Sequence, residues 1–178
     1  MRRWFILSAI GRDRPGLVSE LAQLVLDADA NLEDSRMTIL GSDFAVILFC
    51  SSAASSTADS LAVGAKRLER EHGLTILLRH LEDGPRSGVP AAGTRLYCIE
   101  AAGEDKAGIV AAICGVLAER GVNIVELATR TKPGPGGAPN YELDLKAEVP
   151  DACDVRALRE ALDKEADRLV LDLAVMPA

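Results

Sequence analysis

Apolar positions along this chain follow two spacings in turn, and their order predicts the same small fold twice. Short apolar runs are typical of strands, whereas apolar residues three or four positions apart mark one face of a helix. The first half shows strand patterns at 3–10, 32–40, 44–50 and 74–81, and helical stripes at 17–28 and 61–68. The second half shows strand patterns at 94–102, 124–131, 141–148 and 168–175, and helical stripes at 109–117 and 155–162. Each half therefore has the order β-α-β-β-α-β.

Punctuating residues predict where these elements begin and end. Pro15 suits the first position of the first helix, because its missing N–H would have no partner there. Residues 29–31 are expected to end that helix, with Asn31 tolerating a left-handed conformation. Gly121 is expected to close the third helix in the same conformation. The small and polar residues 51–60 are predicted to form a loop that supplies a helix cap.

A βαββαβ unit with short connections folds most simply as a ferredoxin-like α+β domain. Each domain is expected to be a four-stranded antiparallel sheet with both helices on one face. The predicted domains are 1–83 and 94–178, joined by a Gly- and Pro-rich linker at 84–93. Two such units leave bare sheet faces and edge strands, which favours packing between units and a homodimer. Residues 132–139 form a long hairpin tip in the second half alone, either a mobile loop or a contact surface.

A repeated motif accompanies the repeated pattern. The turn Gly11–Val18 returns as Gly103–Val110 at an offset of about 92 residues, and the same offset joins two asparagines that follow the helix. The matched pairs are Asp13 with Asp105, Arg14 with Lys106, Gly16 with Gly108, and Asn31 with Asn123. A constant offset over four pairs indicates an internal duplication.

The charge of the chain argues against direct nucleic-acid binding. The net charge is −7, the pI is about 4.9, and aromatic residues for base stacking are few. A DNA surface would need several dispersed arginines to gather in one patch: Arg2, Arg3, Arg12, Arg14 and Arg36. No signal peptide or membrane span is visible, so a cytoplasmic protein is expected.

The four cysteines lack the close spacings of a zinc or redox site and are expected to be small buried thiols. They are Cys50, Cys98, Cys114 and Cys153. No cofactor or metal is predicted.

The duplicated turn has the groups needed to hold a free amino acid. Unpaired N–H groups at a helix start attract an anion such as a carboxylate. Asp13 and Asp105 beside them can hold an ammonium group, and Asn31 and Asn123 can add amide hydrogen bonds. The alternatives are structural: the Asp caps the helix, the Gly permits close packing, and the Asn ends the helix.

The length of the intervening helix predicts how these residues combine. Asp13 and Asn31 lie at opposite ends of one helix, roughly 20 Å apart at about 1.5 Å per residue. One unit therefore cannot bring both to one small molecule. Composite sites are predicted instead, Asp13 with Asn123 and Asp105 with Asn31, the partner coming from the other half or a second chain.

Asp-Arg-Pro-Gly-Leu between a strand and a helix, followed by Ala-Asn-Leu, resembles the ACT domain, and the resemblance covers nearly the whole chain. The second copy has Ala107 where the family usually has Pro. The resemblance implies ligand binding at ten positions: Asp13, Pro15, Gly16, Leu17, Asn31, Asp105, Ala107, Gly108, Ile109 and Asn123.

Two ACT domains with nothing else attached are similar to the family of glycine cleavage system transcriptional repressors. That similarity implies a regulatory protein that senses a small amino acid, glycine or serine being plausible. It also implies action through a protein partner, such as a DNA-binding regulator. The alternative is a detached regulatory subunit of an amino-acid or folate enzyme.

An enzyme is not predicted. His72 and His80 are the only histidines, and neither has a counterpart in the second half. The chain shows no nucleophile-elbow spacing, and nothing assembles a nucleophile, a base and an oxyanion site.

Overall fold

A computed structural model of the chain describes residues 2–82, 84, 90–134 and 139–178. The chain divides into two compact units, Met1–Ser87 (unit 1) and Gly88–Ala178 (unit 2). Each unit has the predicted order of elements and a four-stranded antiparallel sheet. The predicted fold class is therefore confirmed.

Unit 1 contains six elements, and the order of its strands across the sheet is β2-β3-β1-β4. They are β1 Arg3–Arg12, α1 Leu17–Asp27, β2 Asn31–Leu40, β3 Asp43–Ser52, α2 Thr57–His72 and β4 Thr75–Leu81.

Unit 2 repeats this topology, with the strand order β6-β7-β5-β8. Its elements are β5 Thr94–Glu104, α3 Ile109–Glu119, β6 Asn123–Pro133, β7 Pro139–Pro150, α4 Val155–Leu169 and β8 Leu171–Pro177.

Each unit has its own hydrophobic core between the sheet and its two helices. Successive strand residues point to opposite faces, so every second residue of the central strands is buried. In unit 1 the core includes Phe5, Leu7 and Ala9 of β1 together with the apolar stripes of both helices. In unit 2 the strand predicted at 141–148 is confirmed, and Leu143, Leu145 and Ala147 alternate toward the core.

The outer sheet faces of the two units differ in character. In unit 1 this face exposes large apolar side chains, with Ile10, Ile47 and Leu77 each more than half exposed. In unit 2 the corresponding face carries ion pairs between neighbouring strands, such as Arg130 with Asp144 at 3.1 Å and Lys146 with Glu126 at 3.1 Å. The duplication therefore conserved the buried face and let the outer face diverge.

Several predicted element ends are wrong by two or three residues. Pro15 is not the first helical residue, because α1 begins at Leu17 after Gly16. The left-handed residue after α1 is Asp29, with φ 53°, and Asn31 instead begins β2. Arg168 belongs to α4 rather than to the last strand.

The predicted loop at 51–60 is also too long. Ser51 and Ser52 extend β3, and Thr57 begins α2. Ser56 precedes α2 but its side chain caps no N–H group, so the expected cap is absent there. The predicted end at Gly121 is confirmed, with φ of 65°, and α2 is likewise followed by Gly73 with φ of 65°.

Parts of the predicted linker and hairpin tip, 85–89 and 135–138, lie outside the described residues. Lys132 and Pro139 at the base of the tip belong to β6 and β7. Across the part of the chain that the structure describes, no helix is long and apolar enough to cross a membrane.

The four cysteines form no disulfide with one another. Cys50 is buried in the core of unit 1, and burial raises the pKa of its thiol to about 11. Cys98, Cys114 and Cys153 are only partly buried, so the expectation of buried thiols holds for Cys50 alone.

Candidate ligand-binding site

The duplicated turn has the same backbone geometry in both units. Gly16 and Gly108 each stand immediately before a helix with φ of 95°, a region in which residues other than Gly are strained. A Cβ placed on Gly108 would have no heavy atom within 4 Å, and one on Gly16 would make only ordinary contacts at 3.8 Å. Backbone conformation, not close packing, therefore requires glycine here.

The helices that follow these glycines begin without a side-chain cap. The first N–H groups of a helix have no partner within it and usually donate to a capping oxygen. At α4, Asp154 accepts from the N–H of Arg156 at 2.9 Å and of Ala157 at 3.2 Å. Within the described residues no side chain does this for α1 or α3, so their starts can receive an anion.

Asp13 and Asp105 are exposed beside these starts and do not cap them. Their backbone N–H groups donate to the neighbouring hairpin, that of Asp13 to Ser42 O at 2.9 Å and that of Asp105 to Pro139 O at 3.2 Å. The hairpin thus anchors the turn through the backbone and leaves both carboxylates facing solvent. The exposed Asp carboxylate can bind the ammonium group of a free amino acid, and the unpaired N–H groups beside it can bind the carboxylate of the same molecule.

Four neighbouring residues of the predicted site differ in what they offer. Pro15 and Ala107 are exposed directly before the glycines. Leu17 and Ile109 are buried in the cores. The latter two can therefore meet a ligand only through their backbone N–H groups.

Asn31 and Asn123 lie at the other end of each sheet from the turns. Asn31 pairs with Ser51 on β3, which pairs with Trp4 near the start of β1, whereas Asp13 follows the end of β1. About 30 Å of strand separates these positions at about 3.3 Å per residue. In unit 2 the register places Asn123 and Asp105 at opposite ends in the same way. Neither unit brings its own Asp and Asn together.

Both asparagine side chains are held by a carboxylate. Asn31 Nδ2 donates to Glu33 Oε1 at 3.0 Å, and Asn123 Nδ2 donates to Glu148 Oε2 at 3.1 Å. Neither glutamate belongs to the motif that the repeat predicts as the site. Glu148 belongs to the set of alternate residues on β7 that faces away from the core. The alternation of apolar residues therefore did not predict that it would be buried.

The turn of unit 1 has an additional charged cluster. Glu20 lies in the first turn of α1, and its Oε2 atom is 2.6 Å from Arg14 Nη2 and 3.0 Å from His72 Nε2. The hydrogen bond from Arg14 and the charge of its guanidinium hold the pKa of Glu20 below its ordinary value. The equivalent position in unit 2 is Ala112. The two turns therefore present different charges to a ligand.

The second basic residue of the turn also differs between the units. Lys106, the counterpart of Arg14, donates to Leu169 O at 3.4 Å and lies 3.6 Å from Glu104. The remaining histidine, His80, packs edge-on against the ring of Phe5 with centroids 5.3 Å apart. Across the described ranges no group of His, Cys, Asp and Glu side chains could hold a metal ion.

The dispersed arginines of unit 1 do not form one patch. Arg2 and Arg3 lie at the start of β1, and Arg12 and Arg14 lie at or beyond its end. Arg2 pairs with Glu33, and Arg36 lies 3.7 Å from Asp34. The condition set for direct DNA binding is therefore not met by these residues.

Comparison with known proteins gives matches over most of the chain. An ACT domain family model matches residues 3–78, and a second ACT domain model matches residues 99–167. The chain is 26% identical over 162 residues to the glycine cleavage system transcriptional repressor of Escherichia coli (strain K12), covering 90% of this chain and 82% of that protein.

Solved structures show the same fold. A structure described as an unknown protein from Galdieria sulphuraria has a TM-score of 0.82 and 30% identity, covering 100% of this chain and 99% of that one. A structure provisionally described as a glycine cleavage system transcriptional repressor has a TM-score of 0.72 and 20% identity, covering 98% and 96% of the two chains.

Proposed function

Since the chain belongs to the ACT domain family, which both of its halves match, we propose that it is a non-catalytic regulatory protein that senses a small amino acid. The observation that carries the proposal is the turn found twice, with an uncapped helix start, a left-handed glycine and an exposed aspartate. This combination matches the two charged groups of a free amino acid. Glycine or serine is the proposed ligand, because the repressor that the chain resembles is named for the glycine cleavage system.

The proposed sites are composite. The ligand carboxylate binds the N–H groups at the start of α1 or α3, and its ammonium group binds Asp13 or Asp105. Because each unit holds its Asp and Asn at opposite ends of its sheet, the asparagine comes from another unit. Asp13 works with Asn123, and Asp105 with Asn31, within one chain or across a homodimer.

The proposed output is contact with a protein partner. The relative from Escherichia coli is named a transcriptional repressor, whereas this chain has a net charge of −7 and scattered arginines. A strongly acidic surface repels DNA. We therefore assign the contact with DNA to a separate DNA-binding regulator, with this chain acting in the cytoplasm as its accessory repressor.

Thermal unfolding with added amino acids tests the proposal. A ligand at 100 times its Kd stabilises the folded state by about 2.7 kcal/mol, so glycine or serine should raise the unfolding temperature. The double variant Asp13→Asn and Asp105→Asn should lose this rise. Asp172→Asn, an exposed residue of β8, is the matched control and should keep it. Absence of a rise with any of the twenty amino acids would leave a structural interaction module as the function.

A further inference from the structure

Glu148 connects the candidate ligand residue Asn123 to the segment that enters unit 2. Its two carboxylate oxygens each have a separate partner: Oε2 accepts from Asn123 Nδ2 at 3.1 Å, and Oε1 accepts from the backbone N–H of Ala91 at 3.1 Å. Glu148 is only 7% exposed. Burying a carboxylate is costly without such partners, so these hydrogen bonds hold it in one position.

Ala91 lies just before β5, at the end of the predicted linker. Its carbonyl accepts from both the N–H and the Oγ1 of Thr94, at 3.0 and 2.6 Å. Gly93 O accepts from Asp151 N at 2.8 Å. These hydrogen bonds attach the end of the linker to unit 2. Glu148 connects Ala91 to Asn123, because its carboxylate accepts a hydrogen bond from each.

Unit 1 makes the same connection with a different carboxylate. Glu33 accepts from Asn31 Nδ2 at 3.0 Å and from Ser51 Oγ at 2.6 Å, and it also pairs with Arg2. Arg2 lies just before β1, as Ala91 lies just before β5. In both units, a carboxylate thus joins the asparagine to the segment that enters the first strand.

The two carboxylates occupy different places in the fold. Glu33 is the extra residue at a β-bulge of β2, and the matching bulge of β6 holds Val125. Glu148 instead lies on β7 directly opposite Asn123, where unit 1 has Ser51 opposite Asn31. A connection present in both halves but made by different strands is not a simple copy from the duplication, so it points to a role.

We propose that Glu148 is a positioning residue that couples ligand binding at Asn123 to the end of the linker, and that Glu33 couples Asn31 to Arg2 in the same way. The inference deepens the proposed function and rests on it for the ligand. With Nδ2 held by the glutamate, the amide oxygen of Asn123 is left to accept from a ligand. A hydrogen bond at that oxygen polarises the amide and strengthens its bond to Glu148. The carboxylate is then held more firmly, so its hydrogen bond to the Ala91 N–H opens less often.

Amide hydrogen exchange at Ala91, followed by NMR on the full chain, tests the coupling without any ligand. Asn123→Ala should accelerate exchange of the Ala91 N–H by about fivefold or more, the effect of weakening one hydrogen bond. Arg130→Gln, which removes an exposed ion pair from the same strand, is the matched control and should leave Ala91 unchanged. Unchanged exchange in a folded Asn123→Ala variant overturns the inference.

A second arm uses glycine and serine as probes, with calorimetry reporting binding. In the wild type, the bound probe should slow exchange at Ala91 severalfold. Glu148→Gln should still bind the probe but lose this response, whereas a merely structural glutamate would leave the response intact. If neither probe binds the wild type, the proposed function fails while the first arm still decides the coupling. If Glu148→Gln does not fold, the first arm, which does not use this variant, decides the coupling.

Discussion

At the scale of single residues, the glycines before α1 and α3 show what sequence can and cannot reveal. The repeat singled out Gly16 and Gly108, and their position at helix starts was predicted correctly. Their φ of 95° was not predicted, because Pro15 suggested an earlier helix start and made Gly16 a helical residue. The contact of Glu148 with Asn123 was missed because it depends on register across strands, whereas Glu33 lies two residues from Asn31 on the same strand.

Replacement of Gly108 by alanine tests the requirement for a left-handed residue. Nothing lies within 4 Å of the added Cβ, so the cost comes from the backbone alone, about 1–2 kcal/mol of unfolding free energy. Gly115→Ala in α3 is the matched control, since its added Cβ is equally free of contacts. In a helix that change should stabilise, by up to about 1 kcal/mol. Urea unfolding measures both, and equal effects of the two changes would refute the account.

The pKa of Glu33 predicts an acid-sensitive unit 1. Hydrogen bonds from Ser51 first, then from Asn31, together with the charge of Arg2, hold this pKa below the ordinary value of 4.5. The resulting stability is present above the unfolded-state pKa and is lost as the pH falls through the lower folded-state value.

Urea unfolding of the wild type and of Glu33→Gln at two pH values measures this contribution. The wild type should be more stable at pH 7, and the difference should shrink as the pH falls below the ordinary pKa of 4.5. Glu82→Gln, at an exposed position, is the control and should follow the wild type. A difference that stays constant with pH would contradict the role given to the carboxylate.

At the scale of helices and strands, the periodicity of apolar residues predicted every element. The residues expected to mark helix ends placed several of those ends wrongly. Apolar stripes identified all four helices because each buries one face on its sheet. The sequence places Arg168 in the last strand because no Gly marks where α4 ends. The left-handed residue after α4 is Val170, with φ of 60°. Such ends depend on caps and tertiary contacts that a pattern of apolar residues does not encode.

Helix capping gives a prediction at this scale. Asp154 accepts two N–H groups at the start of α4, whereas Ser56 accepts none at the start of α2. Asp154→Ala should therefore lower the free energy of unfolding by about 1 kcal/mol. Ser56→Ala is the control and should change it little. Chemical denaturation measures both variants, and a large loss at Ser56 would show that the two helix starts were wrongly distinguished.

At the scale of the whole molecule, the duplication was visible in the sequence because the fold and the turn recur at one offset. The divergence of the outer faces was less visible, since it depends on which residues of adjacent strands become neighbours. The composite sites remain a prediction. They follow from the separation of Asp and Asn within each unit, which the register of each sheet shows.

Calorimetric stoichiometry with the proposed amino acid tests the composite sites most directly, using two pairs of alanine replacements. Composite sites predict two per chain in the wild type. Asp13→Ala with Asn123→Ala removes both residues of one site and should leave the other, built from Asp105 and Asn31. Asp13→Ala with Asn31→Ala damages both sites and should abolish binding. The reverse pattern, one site surviving the second pair and none the first, would place each site within a single unit and contradict the account.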